Sequence, residues 1–140
     1  MPRADFYLIV KDRFKTEPLR LVCELARKAY DANLWTLVLA RDAEQAEQID
    51  ELLWDMGDDA YLPHQIAGDE EDDLTPILIA TPGIDAPLRP LIINLRDAAV
   101  EGSFERVLEV VPAEESARGL SRERWTHYKA RGMDVNKHDM

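Results

Sequence analysis

Apolar residues in this chain recur with two different spacings. From Asp5 to Val10 the run Phe6, Tyr7, Leu8, Ile9, Val10 is unbroken, aromatic and β-branched, which predicts a strand buried on both faces and central in its sheet. The spacing then becomes helical. Thr16 is a candidate cap, with Glu17 and Pro18 in the first turn, and Leu19, Val22, Cys23, Ala26 and Tyr30 form one stripe that should face the core. Trp35 to Ala40 supplies a second strand, and Asp42 with Gln45 has the form of a capping box at the head of another helix. Ala46, Ile49, Leu52, Leu53 and Met56 give that helix an apolar face. Ile77 to Ala80, Leu91 to Asn94 and Arg106 to Val111 read as short strands punctuated by Pro, Gly and Asn, and a last helix is expected over about residues 114–131. Strands alternating with helices predict an α/β fold of three layers. Its mostly parallel central sheet should have about five strands, with right-handed crossovers and Rossmann-like topology.

Composition narrows the function classes. A length of 140 residues with 46% hydrophobic content suits one domain spanning the chain, 1–140. A net charge of −11 argues against general affinity for nucleic acid or anionic membrane, because polyanion binding needs an extended cationic surface. Between Asp42 and Asp73 there are thirteen acids and no Lys or Arg, ending in Asp69, Glu70, Glu71, Asp72 and Asp73, so a solvated loop is expected over about residues 67–75. The apolar run near the N-terminus is too short for a signal peptide or a membrane span, which makes the cytoplasm the expected compartment.

The residues needed for sheet-based enzyme chemistry are missing from their usual places. After the first strand the chain reads Lys11, Asp12, Arg13, Phe14, Lys15, with no glycine to let the backbone approach a phosphate. His64, His127 and His138 have no metal-ligand spacing with one another or with Cys23, and Cys23 falls in the apolar stripe, where a thiol is protonated and inert. No catalytic residue, metal or cofactor is expected. A nucleotide-binding enzyme on a Rossmann-like sheet remains the alternative, motivated by the β-α-β pattern alone.

Two surfaces look built for partners. In the second long helix Trp54 falls off the apolar face and shares its side with Glu47, Asp50 and Glu51, shortly before Tyr61, Leu62 and Pro63. It is either an interface anchor or part of a satellite cluster with Tyr61 and Pro63. The stretch from Arg118 to Arg131 carries five basic side chains against one acid, a charge of +4 that leaves about −15 on the rest. Within it Arg118, Arg122, Trp125 and Lys129 share a narrow helical stripe, while Ala117, Leu120 and Tyr128 point elsewhere and can pack on the sheet. Arg124 and Arg131 lie on another side, suited to bracing the helix against the acidic body. Guanidinium forks suit carboxylates and an indole offers apolar surface beside them, so the matching ligand is an acidic peptide with an apolar end.

These segments carry a family resemblance over nearly the whole chain. Asp5, Phe6, Tyr7 and Leu8, then Leu21 to Leu25, then Asp50 to Trp54 with Tyr61, Leu62, Pro63, His64, Ala67 and Gly68 are similar to segments of the chi subunit of bacterial DNA polymerase III. So are Val111, Pro112, Arg122, Glu123, Arg124, Trp125 and Tyr128. The resemblance implies a noncatalytic accessory subunit of the clamp-loader complex in DNA replication, reaching DNA only through other proteins. It implies that Arg118, Arg122, Trp125 and Lys129 bind the C-terminal tail of single-stranded DNA-binding protein, which is acidic and ends in phenylalanine with a free carboxylate. It also implies that Trp54, Tyr61, Leu62 and Pro63 meet the psi subunit or, alternatively, a helicase-like partner. Trp125 stands where the family often has Tyr, Arg118 where it has Lys, and Tyr61 where it has Phe. The acidic run from Asp69 to Asp73 departs from the pattern.

Overall fold

A computed structural model describes residues 2–55, 62–68, 70 and 72–140. Its strands are β1 (Arg3–Leu8), β2 (Thr36–Leu39), β3 (His64–Ile66), β4 (Ile77–Ala80), β5 (Leu91–Asn94), β6 (Arg106–Val111) and β7 (Asp134–Asp139). The helices are α1 (Asp12–Thr16), α2 (Pro18–Asp31), α3 (Ala43–Asp55) and α4 (Glu115–Ala130). All seven strands form one parallel sheet in the order β3-β4-β2-β5-β6-β1-β7. The α/β architecture is therefore as expected, with two strands more than the apolar runs predicted. Both extra strands are edges. β3 has three residues, and β7 reads Asp134, Val135, Asn136, Lys137, His138, Asp139, a charged sequence of the kind that blunts an edge against further pairing.

Direction along the sheet decides which face each helix covers. β1 to β2 and β2 to β3 both move toward the β3 edge, through α2 and α3, which pack together on one face with Val22, Ala26, Ile49 and Leu53 in the core. β6 to β7 moves the opposite way through α4, whose Tyr128 and Trp125 belong to the cluster on the other face. Right-handed crossovers require this exchange of faces when the direction reverses. The strands supply both cores because their residues alternate: Val107 and Val111 of β6 point toward α4, Leu108 and Val110 away from it.

Local details differ from the sequence reading in a few places. β1 begins three residues and ends two residues earlier than the apolar run, so Val10 is exposed and its amide donates to the carbonyl of Met140. Thr16 ends α1 rather than capping α2, and its hydroxyl donates to the Asp12 carbonyl at 3.1 Å. Glu17 takes the cap position of α2, with Pro18 next. Half of the expected capping box of α3 forms: Asp42 accepts from the Gln45 amide at 2.8 Å, while Gln45 accepts from the Arg41 amide at 2.7 Å, one residue before the cap, rather than from that of Asp42. α4 continues through Gly119 and ends where Gly132, at φ 80°, reverses the chain. There the Gly132 amide bonds the Lys129 carbonyl and the Met133 amide bonds Tyr128, closing the helix and launching β7.

Candidate functional site

One register row positions the basic helix. Asn94, Glu109, Phe6 and Lys137 are successive partners across β5, β6, β1 and β7, so all four project toward α4. Glu109 is completely buried, and its carboxylate accepts from Arg124 Nε at 2.8 Å, Asn94 Nδ2 at 2.8 Å and the Tyr128 hydroxyl at 2.6 Å. Burial pushes the Glu109 carboxyl up, while Arg124, Asn94 and Tyr128 pull against that rise. Burial and the adjacent carboxylate both push the Tyr128 hydroxyl up, which keeps it a donor. Arg124 also reaches the Asp97 carbonyl at 3.1 Å, and Arg131 donates to the carbonyls of Val100 and Gly102. The two arginines set aside from the stripe thus do brace α4, and Arg124, only 6% exposed, does so from inside the protein.

With α4 fixed in this way, its stripe overhangs the carboxyl ends of β6 and β1. Adjacent strands there send their connections to opposite faces, β1 toward α1 and α2 and β6 toward α4. Such a divergence opens a crevice, the usual ligand position in an open α/β sheet. The crevice has a volume of about 460 Å³. Its floor is Phe6, Leu8 and Val111, its walls include Pro112, Ser121 and Trp125, and Arg118, Arg122 and Lys137 bring cationic groups to it. Trp125 is half-buried, its ring 5.1 Å from that of Phe6 and tilted by 53°, which leaves indole surface toward the cleft. Asp139 is the acid on the lining.

The structure therefore brings Arg118, Arg122 and Trp125 together around one cavity. Lys129 is exposed on α4 outside this lining, and Lys137 occupies the lining from β7. Apolar runs could not reveal Lys137, because it sits on an edge strand with little apolar content. The helix-ending Gly132 and the alternation of Val135 with polar neighbours were the available signals. Leu120 is also placed differently from the sequence reading. Tyr128 packs on the sheet as expected and Ala117 is half-buried, but Leu120 is 38% exposed because the first turns of α4 project beyond the strand ends.

The second surface lies at the other end of the sheet. Trp54 is 58% exposed on α3, and its ring meets the buried His64 edge-on at 5.3 Å. His64 Nδ1 is 2.7 Å from the Leu62 carbonyl oxygen, and its Nε2 is 3.2 Å from Asp50 Oδ1. Pro63 is half-buried, whereas Leu62 is 4% exposed and belongs to the core, so it supports this surface from beneath. Tyr61 and Met56 lie outside the described residues, as do Asp69 and Glu71 of the acidic run. Asp72 ties the end of that run to the body, accepting from Gln65 Nε2 at 2.6 Å and from the Gly68 amide at 2.9 Å.

Cys23 and Asp5 are committed to structure. Cys23 is buried in the α2 core, and burial pushes its thiol up to about 12. Asp5 is buried on the face opposite α4, accepting from Arg3, from Arg106 at 2.6 Å and from His138 at 2.8 Å. Burial alone would raise its carboxyl, but the hydrogen bonds from His138, Arg106 and Arg3 outweigh that and hold it below the usual carboxylate range. Among the described residues no helix is long and apolar enough to cross a membrane.

Known proteins resemble this chain in sequence and in shape. The family model described as DNA polymerase III chi subunit, HolC, matches residues 1–136. The DNA polymerase III subunit chi of Escherichia coli K12 is 31% identical over 142 residues, covering 97% of both chains. That of Pseudomonas aeruginosa is 29% identical, covering 99% of this chain and 96% of the relative. Among solved structures, the C-terminal domain of the DEAD-box protein Dbp5 superposes with a TM-score of 0.69 at 12% identity, over 99% of this chain and 90% of that one. The E. coli DEAD-box protein SrmB, in a structure bound to regulator of ribonuclease activity A, gives 0.63 at 14% identity, over 100% of this chain and 92% of that one. At such identities the helicase likeness describes the fold alone. The full-length profile match and the near-complete relatives at about 30% identity place the function with the sequence family: this chain belongs to the DNA polymerase III chi subunit family.

Proposed function

We propose that this protein is a noncatalytic accessory subunit of the DNA polymerase III clamp-loader complex, acting in the cytoplasm. In this reading it links the psi subunit to the acidic C-terminal tail of single-stranded DNA-binding protein. The observation that carries the tail assignment is the cleft at the ends of β6 and β1, where Arg118, Arg122 and Lys137 border an apolar floor closed by Trp125. A terminal phenylalanine ring would lie against Trp125, Phe6 and Val111, and its carboxylate would take a two-point hydrogen bond from an arginine fork. The preceding acids would meet the remaining cations. Lys129, one turn farther along α4, would act at longer range. The chain's strong negative charge favours a short anionic peptide over a long polyanion, which would be repelled along most of its length.

The Trp54 surface supports the psi assignment because an indole with 58% of its area exposed, seated edge-on against His64, is a large amphipathic group of the kind that anchors interfaces. A helicase-like protein is the alternative partner there, competing for the same residues. Calorimetric titration with a synthetic acidic peptide ending in Phe tests the tail site. Binding should weaken as salt rises, and Arg122→Ala should reduce affinity at least about tenfold, or roughly 1.4 kcal/mol, with the fold intact. Absence of binding at low salt would reject the assignment.

A further inference from the structure

A second cleft lies on the other side of α4, with a volume of about 480 Å³. It opens at the carboxyl ends of β2, β5 and β6, and β2 and β5 again send their connections to opposite faces, the same geometry that creates the first cleft. Leu19, Val22, Leu95 and Leu120 give it an apolar lining. Leu120 is the α4 residue that the sheet does not cover, and this cavity is what it faces. Arg41 and Arg96 supply positive charge to the lining, with Arg124 also on it but paired with Glu109, while Asp97 and Glu114 supply negative charge. Residues from the N-terminal ends of α2, α3 and α4 also line it, adding the positive ends of three helix dipoles.

We infer that this cleft is the continuation of the tail site, holding an apolar side chain several residues upstream of the terminal phenylalanine. The inference rests on the tail-binding reading of the first cleft. Continuity is the main argument: Pro112 lines both cavities, and only the N-terminal turns of α4 separate them. A helix is about 10 Å across, so roughly three extended residues at about 3.3 Å each carry a peptide from one cleft to the next. The charge pattern sets what it can be. Arg41, whose side chain is 64% exposed and whose Nε lies 3.6 Å from Asp42 Oδ2 in a solvated pair, has guanidinium donors left to meet an acid of the peptide. Arg96 is held by the carbonyls of Ala40 and Ala80 and contributes a fixed charge. Asp97 and Glu114 repel an uninterrupted run of acids, which selects an apolar residue with acids beside it over a purely acidic segment.

Three synthetic peptides test this on the full chain. One is a four-residue acidic peptide ending in Phe, long enough for the first cleft alone. The second is a ten-residue acidic peptide with the same end and a leucine seventh from its C-terminus, and the third replaces that leucine with serine. The leucine ten-mer should bind about tenfold tighter than the four-mer, and the serine ten-mer should lose most of that gain. Leu120→Ser and Arg41→Ala should each reduce the gain of the leucine ten-mer while leaving the four-mer unchanged. Equal affinity of the four-mer and the leucine ten-mer, or a gain that survives both substitutions, would overturn the second cleft while the first stands. Binding of none of the peptides would overturn both.

Discussion

Trp54 and Trp125 stand on opposite sides of the molecule, and the difference in their surroundings separates two ways of making a partner surface. Trp54 projects from an acidic helix with 58% of its area exposed, touching His64 at the ring edge. Trp125 is half-buried against Phe6, part of the wall of a cavity to which three basic side chains come from two elements. The first is suited to a broad protein surface that covers it. The second is suited to enclosing a ligand, and its cations would give the choice of ligand a sign. The cleft also depends on a buried support, since Glu109, Arg124, Asn94 and Tyr128 lock α4 over the strand ends, whereas the Trp54 surface sits on the apolar core through Leu53 and Leu62.

That contrast can be broken at several points. Removing the support should have the largest effect. Arg124→Ala leaves Glu109 buried without its cation, so unfolding by denaturant should show a loss of about 3–5 kcal/mol. Next comes the pair of tryptophans. Trp125→Ala should weaken the acidic tail peptide at least about tenfold and also cost about 1–3 kcal/mol of stability through lost packing on Phe6. Trp54→Ala should leave tail affinity unchanged and alter stability by less than about 1 kcal/mol, because the ring is mostly solvated. If the two variants weakened the tail peptide equally, the division of labour between the surfaces would be lost.

The smallest effect concerns acid. The folded Asp5 carboxyl lies below its ordinary value of 3.8, so its ion pairs add stability that is present above that value and lost as pH falls through the folded one. Glu109, whose carboxyl is raised, contributes the opposite slope, but it is present in both proteins of the comparison and cancels. Unfolding free energy measured from pH 5 downward should therefore fall more steeply for the natural protein than for Asp5→Asn. Parallel curves would show that the Asp5 network has no such role.

Much of this was legible in the chain, and what was missed has physical reasons. β4, β5 and β6 coincide with their apolar runs because strands of a parallel sheet covered on both faces need apolar residues throughout. β3 and β7 were hidden because edges carry few apolar residues, and Lys137 was hidden with β7. The stripe of Arg118, Arg122 and Trp125 followed from helical spacing alone. Spacing could not show that Lys129 lies beyond the cavity or that Leu120 overhangs a second one, since both depend on where the strands stop beneath α4. Buried Asp5 and Glu109 were also unreadable. A carboxylate enters a core only with its partners, and these come from residues as distant as His138 and Arg124.

The three tryptophans give a direct test of the central claim, since each contributes one indole N–H signal. In a heteronuclear titration with the acidic peptide ending in Phe, the Trp125 signal should shift progressively and saturate, while those of Trp35 and Trp54 stay in place. A shift centred on Trp54 with Trp125 unmoved would contradict the account.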